Sequence, residues 1–500
     1  MPGMDLWGDE FVRRGAIFVL TVALSSAAYH YSLVNDSLWA LMWLAPLPLC
    51  LYALAAPAVA AVCAGFTAVF IGFSAFLAGA GYPAALVKAL LWENAVRAIA
   101  FTAALAAFRY SAGRGGLWAP CLLFAGGITA YEFLASLVSR GGTVASIAYT
   151  QTTNLPVVQI ASLTGLWGIT FLLSALPAGI AAGWQHRHDR SGSVKILLLP
   201  AGLLLAALVF GFCRLHLPSQ GPPVRIGIVA EPITMEQYLA VAANKDYGQV
   251  TALLEKYAGG VERLAQAGAQ VVLLPEKTFT LSAERDLLQA FGNLARRHGV
   301  YLIAGLTSRE EGRLYNSAFA FAPNGEVLTR YDKQHLLPPF EDRFTPGQRL
   351  GTVRTPAMGL WGLAICKDMD FRQPAGDYSR QGVNIMFVPA LDFHDDAWTH
   401  GRVAVMRGVE GNFPVARAGQ WGLLTLTDSR GRIIGLLSTD AAQGEALLTG
   451  DLNLDDGVSL YSRLGDWFGW LCVLGFLASP ALFWLAGRGR AQGYRSGKSK

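Results

Sequence analysis

Eight long apolar segments are the feature that most limits how this 500-residue chain can fold. Each holds roughly 18 or more mostly apolar residues, enough to cross about 30 Å of hydrocarbon as a helix. They lie at residues 15–32, 37–56, 58–80, 84–108, 117–139, 157–184, 194–213 and 466–486. The sequence therefore predicts a polytopic α-helical membrane domain with about eight spans.

A globular domain is predicted between the seventh and eighth segments. Charged residues make up only 15% of the whole chain, well below the quarter that is usual in soluble proteins, but residues 214–465 have a mixed composition. We expect transmembrane helices 1–7 in residues 1–213, the globular domain in 214–465, transmembrane helix 8 in 466–486 and a basic tail in 487–500.

Basic residues between the segments predict one orientation. They occur at 13–14, 109–114, 186–190 and 487–500. If these positions face the cytoplasm, both termini lie inside and the globular insert lies outside. No basic surface interleaved with aromatic residues is evident, so we expect no nucleic-acid partner.

The insert reads as an α/β domain. Apolar β-branched runs such as 224–230, 269–274 and 300–306 predict strands, and amphipathic helices are predicted at 248–268 and 285–299. The stretch 316–333 predicts a hairpin with its turn at Pro323, Asn324 and Gly325. Strands that alternate with helices but include hairpins favour mixed sheets covered by helices.

Three ionisable residues follow hydrophobic strands in this domain: Glu276, Lys333 and Cys366. Cys366 is the only cysteine of the insert, so it has no partner there for a disulfide. A nucleophilic thiol needs a base, and the oxyanion formed on an attacked carbonyl needs a cation or hydrogen-bond donors. Taken singly, each residue is also compatible with a plain role, as a solvated carboxylate, an exposed lysine or a small buried side chain.

Short motifs around these residues resemble a known family. Glu276 in "LLPE", Lys333 in "YDKQHLLP" and Cys366 in "AIC" are similar to the Glu, Lys and Cys of the carbon-nitrogen hydrolase, or nitrilase, superfamily. Residues 148–172 in the membrane part and "YSRLGDWF" at 461–468 resemble the apolipoprotein N-acyltransferase family within it. The resemblance implies an αββα sandwich, inserted before the last span and facing the periplasm of a bacterial inner membrane.

The resemblance also implies a mechanism and partners. Glu276 would be the general base, Lys333 the oxyanion stabiliser, and Cys366 the nucleophile that takes an acyl chain from a phospholipid as a thioester. Phosphatidylethanolamine is the expected donor. The α-amine of a diacylglyceryl-cysteine at the N-terminus of a lipoprotein would accept the chain. No cofactor and no metal is expected.

Further residues near the motifs are assigned supporting roles. Glu341 matches a second glutamate of the family and is expected to support Lys333 or the incoming amine; the alternative is an ion pair with Arg343. Lys367 and Asp368 replace the aromatic residue and glutamate that usually follow the nucleophile, and Lys367 would either lower the pKa of the thiol or face solvent. Trp398 is expected to line the pocket or form a lid, beside a loop at 391–400 that is shorter than in the family.

Inside the fourth span, Glu93 and Arg97 are one helical turn apart, which favours a structural ion pair over a headgroup site. Two other functions stay open at this stage. One is a membrane-anchored amidase, or an acyltransferase that uses a different amine acceptor. The other is a lipid-binding or scaffold protein that retains only the fold.

Overall fold

The structure is a computed structural model that describes residues 5–34, 36–78, 84–114, 116–219, 221–242, 247–280, 284–356, 358–392, 397–439, 444–455 and 457–496. Its helices are α1 Asp5–Val34, α2 Leu47–Ala55, α3 Ala58–Ser74, α4 Ala84–Ser111, α5 Ala119–Val138, α6 Leu155–Val158, α7 Ala161–Thr164, α8 Leu166–Gln185, α9 Arg190–His216, α10 Met235–Ala242, α11 Tyr247–Gln266, α12 Glu284–His298, α13 Ala375–Arg380, α14 Ala397–Gly411, α15 Leu460–Leu464 and α16 Trp467–Ser496. Short 3₁₀ helices lie at Asp36–Trp43, Ala75–Ala78, Ile147–Gln151 and Cys366–Asp370.

Among the described residues, six helices are long and apolar enough to cross a membrane: 10–34, 38–55, 86–111, 119–138, 166–185 and 190–216. The third and eighth predicted spans correspond to shorter apolar helices, 58–74 and 467–481. Residues 79–80 of the predicted third span and 497–500 of the predicted tail lie outside the described residues.

Two further predicted spans differ from the observed helices. The second, predicted as continuous, is a 3₁₀ helix at Asp36–Trp43 followed by α2. The sixth was expected to start at 157 but starts at Leu166, because Gly165 takes φ 66° and ends α7. An added Cβ at Gly165 would lie 2.5 Å from the ring of Tyr461, so only glycine fits this break.

The expected pairing of Glu93 with Arg97 is wrong. Arg97 instead contacts Glu132 of α5, with 3.3 Å between Nη1 and Oε1, and its guanidinium lies 4.5 Å from the ring centroid of Phe73. Glu93 accepts a 3.4 Å hydrogen bond from Ser139. Arg97 therefore pairs with Glu132 on a neighbouring helix rather than with Glu93, one turn away on its own helix.

The strands of the described residues form two sheets: β1 Pro223–Ala230, β2 Val271–Leu273, β3 Phe279–Thr280, β4 Tyr301–Glu310, β5 Arg313–Phe321, β6 Val327–Asp332, β7 Gly351–Thr355, β8 Gly359–Leu363, β9 Ile385–Leu391, β10 Val415–Gln420, β11 Leu423–Thr427, β12 Ile433–Ser438 and β13 Ala446–Asn453. One sheet has the order β13-β1-β2-β4-β5-β6 with β3 beside β4, and the other has the order β12-β11-β10-β9-β8-β7. Both mix parallel and antiparallel pairs, as predicted. The predicted hairpin is β5 and β6, with Gly325 at φ 87° in its turn.

The two sheets face each other across an apolar core, and helices cover their outer faces. Alternate side chains of β1, including Ile226 and Ile228, belong to one apolar cluster with Phe387 and Leu424 of the opposite sheet. The outer face of the first sheet packs against α11, whose buried residues follow helical spacing. The predicted αββα sandwich is therefore observed.

The second sheet and α14 lie against the membrane helices. Val403 and Met406 of α14 belong to one continuous apolar cluster with residues of the membrane domain. Fully buried Arg407 donates from Nε to the carbonyl of Met369 at 3.0 Å and from Nη2 to the hydroxyl of Tyr149 at 3.0 Å. The turn after Cys366 is thus held by residues from both domains.

Candidate active site

Glu276 lies in the loop that follows β2 and is almost fully buried. Its Oε1 accepts hydrogen bonds from Lys333 Nζ at 2.9 Å and from Asn316 Nδ2 at 2.6 Å. Its Oε2 is also buried, but no donor among the described residues reaches it. A buried carboxylate oxygen without a partner costs free energy, which a ligand or a transferred proton can recover.

Lys333 follows β6 and joins two carboxylates. Its Nζ lies 2.9 Å from Oε1 of Glu276 and 2.9 Å from Oε2 of Glu341. Burial alone would lower the pKa of Lys333, but the two glutamates raise it well above its usual value. Lys333 therefore stays an ammonium ion, a fixed positive charge inside the site.

Glu341 has partners on both oxygens, unlike Glu276. Its Oε1 accepts hydrogen bonds from Lys277 and Asn316, each at 2.8 Å, and its Oε2 accepts one from the backbone N–H of Leu337 at 2.9 Å in addition to Lys333. Burial would raise the pKa of Glu341, but Lys333 and Lys277 lower it to about 2. The alternative in which Glu341 pairs with Arg343 is wrong.

Cys366 follows β8 at the start of a 3₁₀ helix, with φ 44°. A non-glycine residue in this left-handed region is uncommon and is often found at functional sites. Burial raises the pKa of the Cys366 thiol far above its ordinary value, Glu276 raises it further and Lys333 lowers it. The thiol therefore stays protonated in this arrangement and needs a base before it can attack.

Glu276 and Lys333 thus form a direct ion pair, Cys366 lies close enough for both to shift the pKa of its thiol, and Glu341 contacts Lys333 as well. A buried carboxylate oxygen, a permanent ammonium ion and a protonated thiol can carry out proton removal, oxyanion stabilisation and nucleophilic attack. No group of three or more His, Cys, Asp or Glu side chains in the described part of the chain could hold a metal ion.

The two residues after the nucleophile behave differently from expectation. Lys367 does not face solvent, because its side chain is only 10% exposed and its Nζ lies 3.5 Å from Oδ2 of Asp370. The pKa of the Cys366 thiol is shifted mainly by burial, Glu276 and Lys333 rather than by Lys367. Asp368 is fully buried and accepts hydrogen bonds from the hydroxyl of Tyr331 at 2.7 Å and the N–H groups of His335 and Ile365 at 2.8 and 3.1 Å. Asp368 therefore ties the loop of Lys333 to the turn of Cys366.

Trp398 lies in the first turn of α14 and is half-buried. Its ring packs over Gly401, where an added Cβ would lie 2.9 Å away. Residues 393–396 of the loop predicted to be short lie outside the described residues. A pocket or lid role for Trp398 stays a prediction.

Three polar groups of the site were missed at the level of sequence. Asn316 bridges the two glutamates, Lys277 adds a second ammonium ion, and Arg417 forms a buried pair with Asp392 at 2.9 Å. Cys366 Sγ lies 3.7 Å from the carbonyl oxygen of Leu391, the neighbour of Asp392. Asn316 and Arg417 stand inside apolar strands, where such residues are depleted, and that signal could have identified them.

Comparison with known proteins identifies the relatives of the chain. Residues 237–460 match the carbon-nitrogen hydrolase family. An apolipoprotein N-acyltransferase of Geobacter metallireducens is 29% identical over 386 residues, which cover 70% of this chain and 72% of that protein. The chain is a homologue of the apolipoprotein N-acyltransferases and carries a carbon-nitrogen hydrolase domain. The enzyme of the same name from Bradyrhizobium diazoefficiens is 28% identical over 383 residues, with 69% of this chain and 70% of that protein covered.

Solved structures similar to this chain include an amidase from Nesterenkonia sp., at 20% identity and a TM-score of 0.40, with 49% of this chain and 94% of the amidase covered. Saccharomyces cerevisiae Nit3, a member of branch 10 of the nitrilase superfamily, has 20% identity and a TM-score of 0.39, with 49% and 96% covered.

Proposed function

We propose that this protein is a phospholipid-dependent N-acyltransferase that transfers a fatty acyl chain, through a thioester on Cys366, to the α-amine of a diacylglyceryl-cysteine on an apolipoprotein. The observation that carries the proposal is the unpartnered, buried Oε2 of Glu276 in the same site as a protonated thiol and a fixed ammonium ion. The homology to apolipoprotein N-acyltransferases supports the choice of substrates.

In the first half-reaction, Glu276 removes the thiol proton of Cys366 through Oε2. The sulfur attacks an ester carbonyl of the phospholipid, and Lys333 stabilises the oxyanion of the tetrahedral intermediate. The C–O ester bond then breaks, and the leaving alkoxide takes the proton from Glu276. The products are a lyso-phospholipid and an acyl thioester on Cys366.

In the second half-reaction, the free α-amine of the lipoprotein attacks the thioester carbonyl. Glu276 accepts a proton from the amine, Lys333 again stabilises the oxyanion, and the C–S bond breaks. The leaving thiolate recovers the proton, so the enzyme returns to its starting state and the acceptor carries an amide. This is a ping-pong sequence in which the two substrates use the site in turn.

The membrane domain keeps both lipid substrates in hydrocarbon. Each methylene group withdrawn into water costs about 0.8 kcal/mol, so chemistry at the membrane surface avoids a large penalty. We place the protein in the bacterial inner membrane with the catalytic domain in the periplasm and both termini in the cytoplasm. External protease should cleave the insert in spheroplasts while a tag after Lys500 stays protected; a protected insert would contradict this orientation.

The acyl transfer itself is tested with purified protein and acyl-labelled phosphatidylethanolamine. Label should appear on the protein as a thioester, and a diacylated peptide should then discharge it as an amide-linked product. The Cys366→Ala variant is the control, because a methyl group cannot attack an ester. Label on this variant would remove Cys366 from the mechanism, and a thioester that water or a simple amine discharges faster than the peptide does would favour the amidase-type alternative.

A further inference from the structure

A lipid-sized groove lies in the membrane domain, and Cys366 is not part of its lining. It is an apolar groove of about 950 Å³ between α5, α8, α9 and α16. Leu122, Phe171, Leu203 and Leu471 are among the apolar side chains that line it. We refer to it below as the α5–α16 groove.

Glycines on two facing helices give this groove its depth. Gly126 of α5 and Gly475 of α16 both line it, and a Cβ added at Gly475 would meet no atom within 4 Å. From the Arg114 end, the lining of the groove runs along α5 from Trp118 to Gly126, a helical rise of about 12 Å. That length is close to half of the roughly 30 Å hydrocarbon layer, which is the depth of one leaflet. A groove of this kind in a membrane-spanning surface is filled by hydrocarbon, because no water is present there to fill it.

One end of the groove carries groups suited to a phosphate at the membrane surface. Arg114 lines this end, and its exposed guanidinium lies 4.8 Å from the ring centroid of Tyr110. Trp118 lines it too and donates from Nε1 to the carbonyl of Lys195 at 2.8 Å, which joins the start of α5 to α9. Arginine beside tryptophan at a helix end is typical of a lipid headgroup level.

This end is remote from the catalytic domain. The opposite end of α5 leads to Thr143, whose N–H donates to the carbonyl of Asp370 at 2.8 Å in the turn after the nucleophile. Arg114 and Trp118 precede α5 and so lie at the other surface of the membrane domain. A lipid with its headgroup at Arg114 therefore belongs to the leaflet that the catalytic domain does not face.

We propose that the α5–α16 groove binds one phospholipid of this far leaflet, with its phosphate at Arg114 and an acyl chain that runs along Leu122 and Gly126 as far as Gly475. This lipid is not the acyl donor, since its ester groups lie near Arg114, at the opposite membrane surface from Cys366. It fills a gap between helices and so supports the packing of α16 on α5.

The test compares substitutions inside and outside the groove. Gly475→Leu places a side chain in the open space without a backbone clash, whereas Leu477→Phe changes a residue of the same helix that is 70% exposed. Full-length protein is purified in detergent, stripped of lipid, and titrated with phosphatidylglycerol or with diacylglycerol, which lacks the phosphate. Bound lipid is counted by native mass spectrometry.

We expect the unchanged protein and Leu477→Phe to bind one phosphatidylglycerol, and Gly475→Leu to bind it about tenfold more weakly or worse, because displacing two methylene groups already has that effect. Arg114→Gln should remove the preference for phosphatidylglycerol over diacylglycerol. Equal binding by Gly475→Leu and the unchanged protein, or no preference for the phosphate in the unchanged protein, would overturn the proposal.

If Gly475→Leu does not fold, Leu122→Trp narrows the same groove from α5 and must weaken binding in the same way. Thioester formation on Cys366 is measured in parallel on each preparation. Its absence in the unchanged protein would contradict the proposed acyl transfer and leave the lipid-binding result standing.

Discussion

Two buried glutamates, Glu132 in the membrane domain and Glu276 in the catalytic domain, each contact a basic side chain but differ in their remaining partners. Glu132 accepts from Arg97 at 3.3 Å and from the N–H of Ile147 at 3.1 Å on Oε1, and from Ser146 at 2.6 Å and Thr170 at 2.8 Å on Oε2. Glu276 has two partners on Oε1 and, among the described donors, none on Oε2.

The number of hydrogen-bond partners on each oxygen distinguishes a buried carboxylate that serves structure from one that is available for chemistry. When both oxygens of a buried carboxylate accept hydrogen bonds, these fixed contacts offset the cost of its desolvation, and no oxygen is left open to a substrate. A carboxylate with one empty buried oxygen holds a local free-energy cost that a proton or substrate relieves. Glu341 belongs with Glu132 by this criterion, although it lies in the active site.

The largest effect is expected for Glu276→Gln. The amide keeps the shape of the side chain but cannot accept the thiol proton, so thioester formation from labelled phosphatidylethanolamine should fall by about 10² or more. The rate of label incorporation in single-turnover experiments measures this. Normal incorporation would show that the empty oxygen does not act as the base and that the contrast with Glu132 has no chemical meaning.

A smaller effect is expected for Glu341→Gln. The amide lacks the charge that helps to hold Lys333 and Lys277 in place, so Lys333 is less well positioned although the base Glu276 is unchanged. Thioester formation should therefore fall roughly tenfold. Transfer to the diacylated peptide, followed separately, should slow as well. If this variant lost more activity than Glu276→Gln, the roles of the two glutamates would be reversed.

Acid stability gives a third test of the contrast within the site. Because the pKa of Glu341 is about 2 in the folded protein and 4.5 in its ordinary state, its stabilising contribution is complete above pH 4.5 and is lost as the pH falls towards 2. The melting temperature should therefore drop less in Glu341→Gln than in the unchanged protein when the pH is lowered from about 5 to about 3. Asp342→Asn alters an exposed neighbour and is the matched control.

The smallest effect on catalysis is expected for Glu132→Gln. Loss of the charge opposite Arg97 should lower the free energy of unfolding by about 1–3 kcal/mol, while the rate of thioester formation by the folded protein changes by less than about twofold. Glu93→Gln, which affects one 3.4 Å hydrogen bond, controls for the loss of a membrane carboxylate. A large loss of rate in Glu132→Gln without unfolding would break the distinction between the two glutamates.

Local patterns predicted most of the fold because the features involved are local. Apolar runs indicated the membrane helices, and the Pro-Asn-Gly stretch indicated the turn between β5 and β6, where Gly325 has φ 87°. The start of α8 was misplaced, since the break at Gly165 depends on Tyr461, a residue far along the chain.

The site was predictable only in part for the same reason. Strand ends and motifs indicated Glu276, Lys333 and Cys366, but the partner of a charge depends on which elements meet in space. Helical spacing favoured Glu93 for Arg97, yet Glu132 lies 35 positions away on another helix. The hydrogen bonds from Asn316 of β5 to both glutamates likewise join a strand to two loops whose positions in space cannot be read from the sequence.

The turn after Cys366 has a practical consequence for anyone who wishes to isolate the catalytic domain. Its carbonyls at Met369 and Asp370 accept hydrogen bonds from Arg407 and Thr143, and Arg407 also binds Tyr149 of the membrane domain. A soluble fragment cut at the start of β1 would lack Thr143 and Tyr149, so the turn after the nucleophile would lose the contacts that come from the membrane domain. Inhibitor screens and structural work on this chemistry therefore require the full-length protein in detergent or lipid.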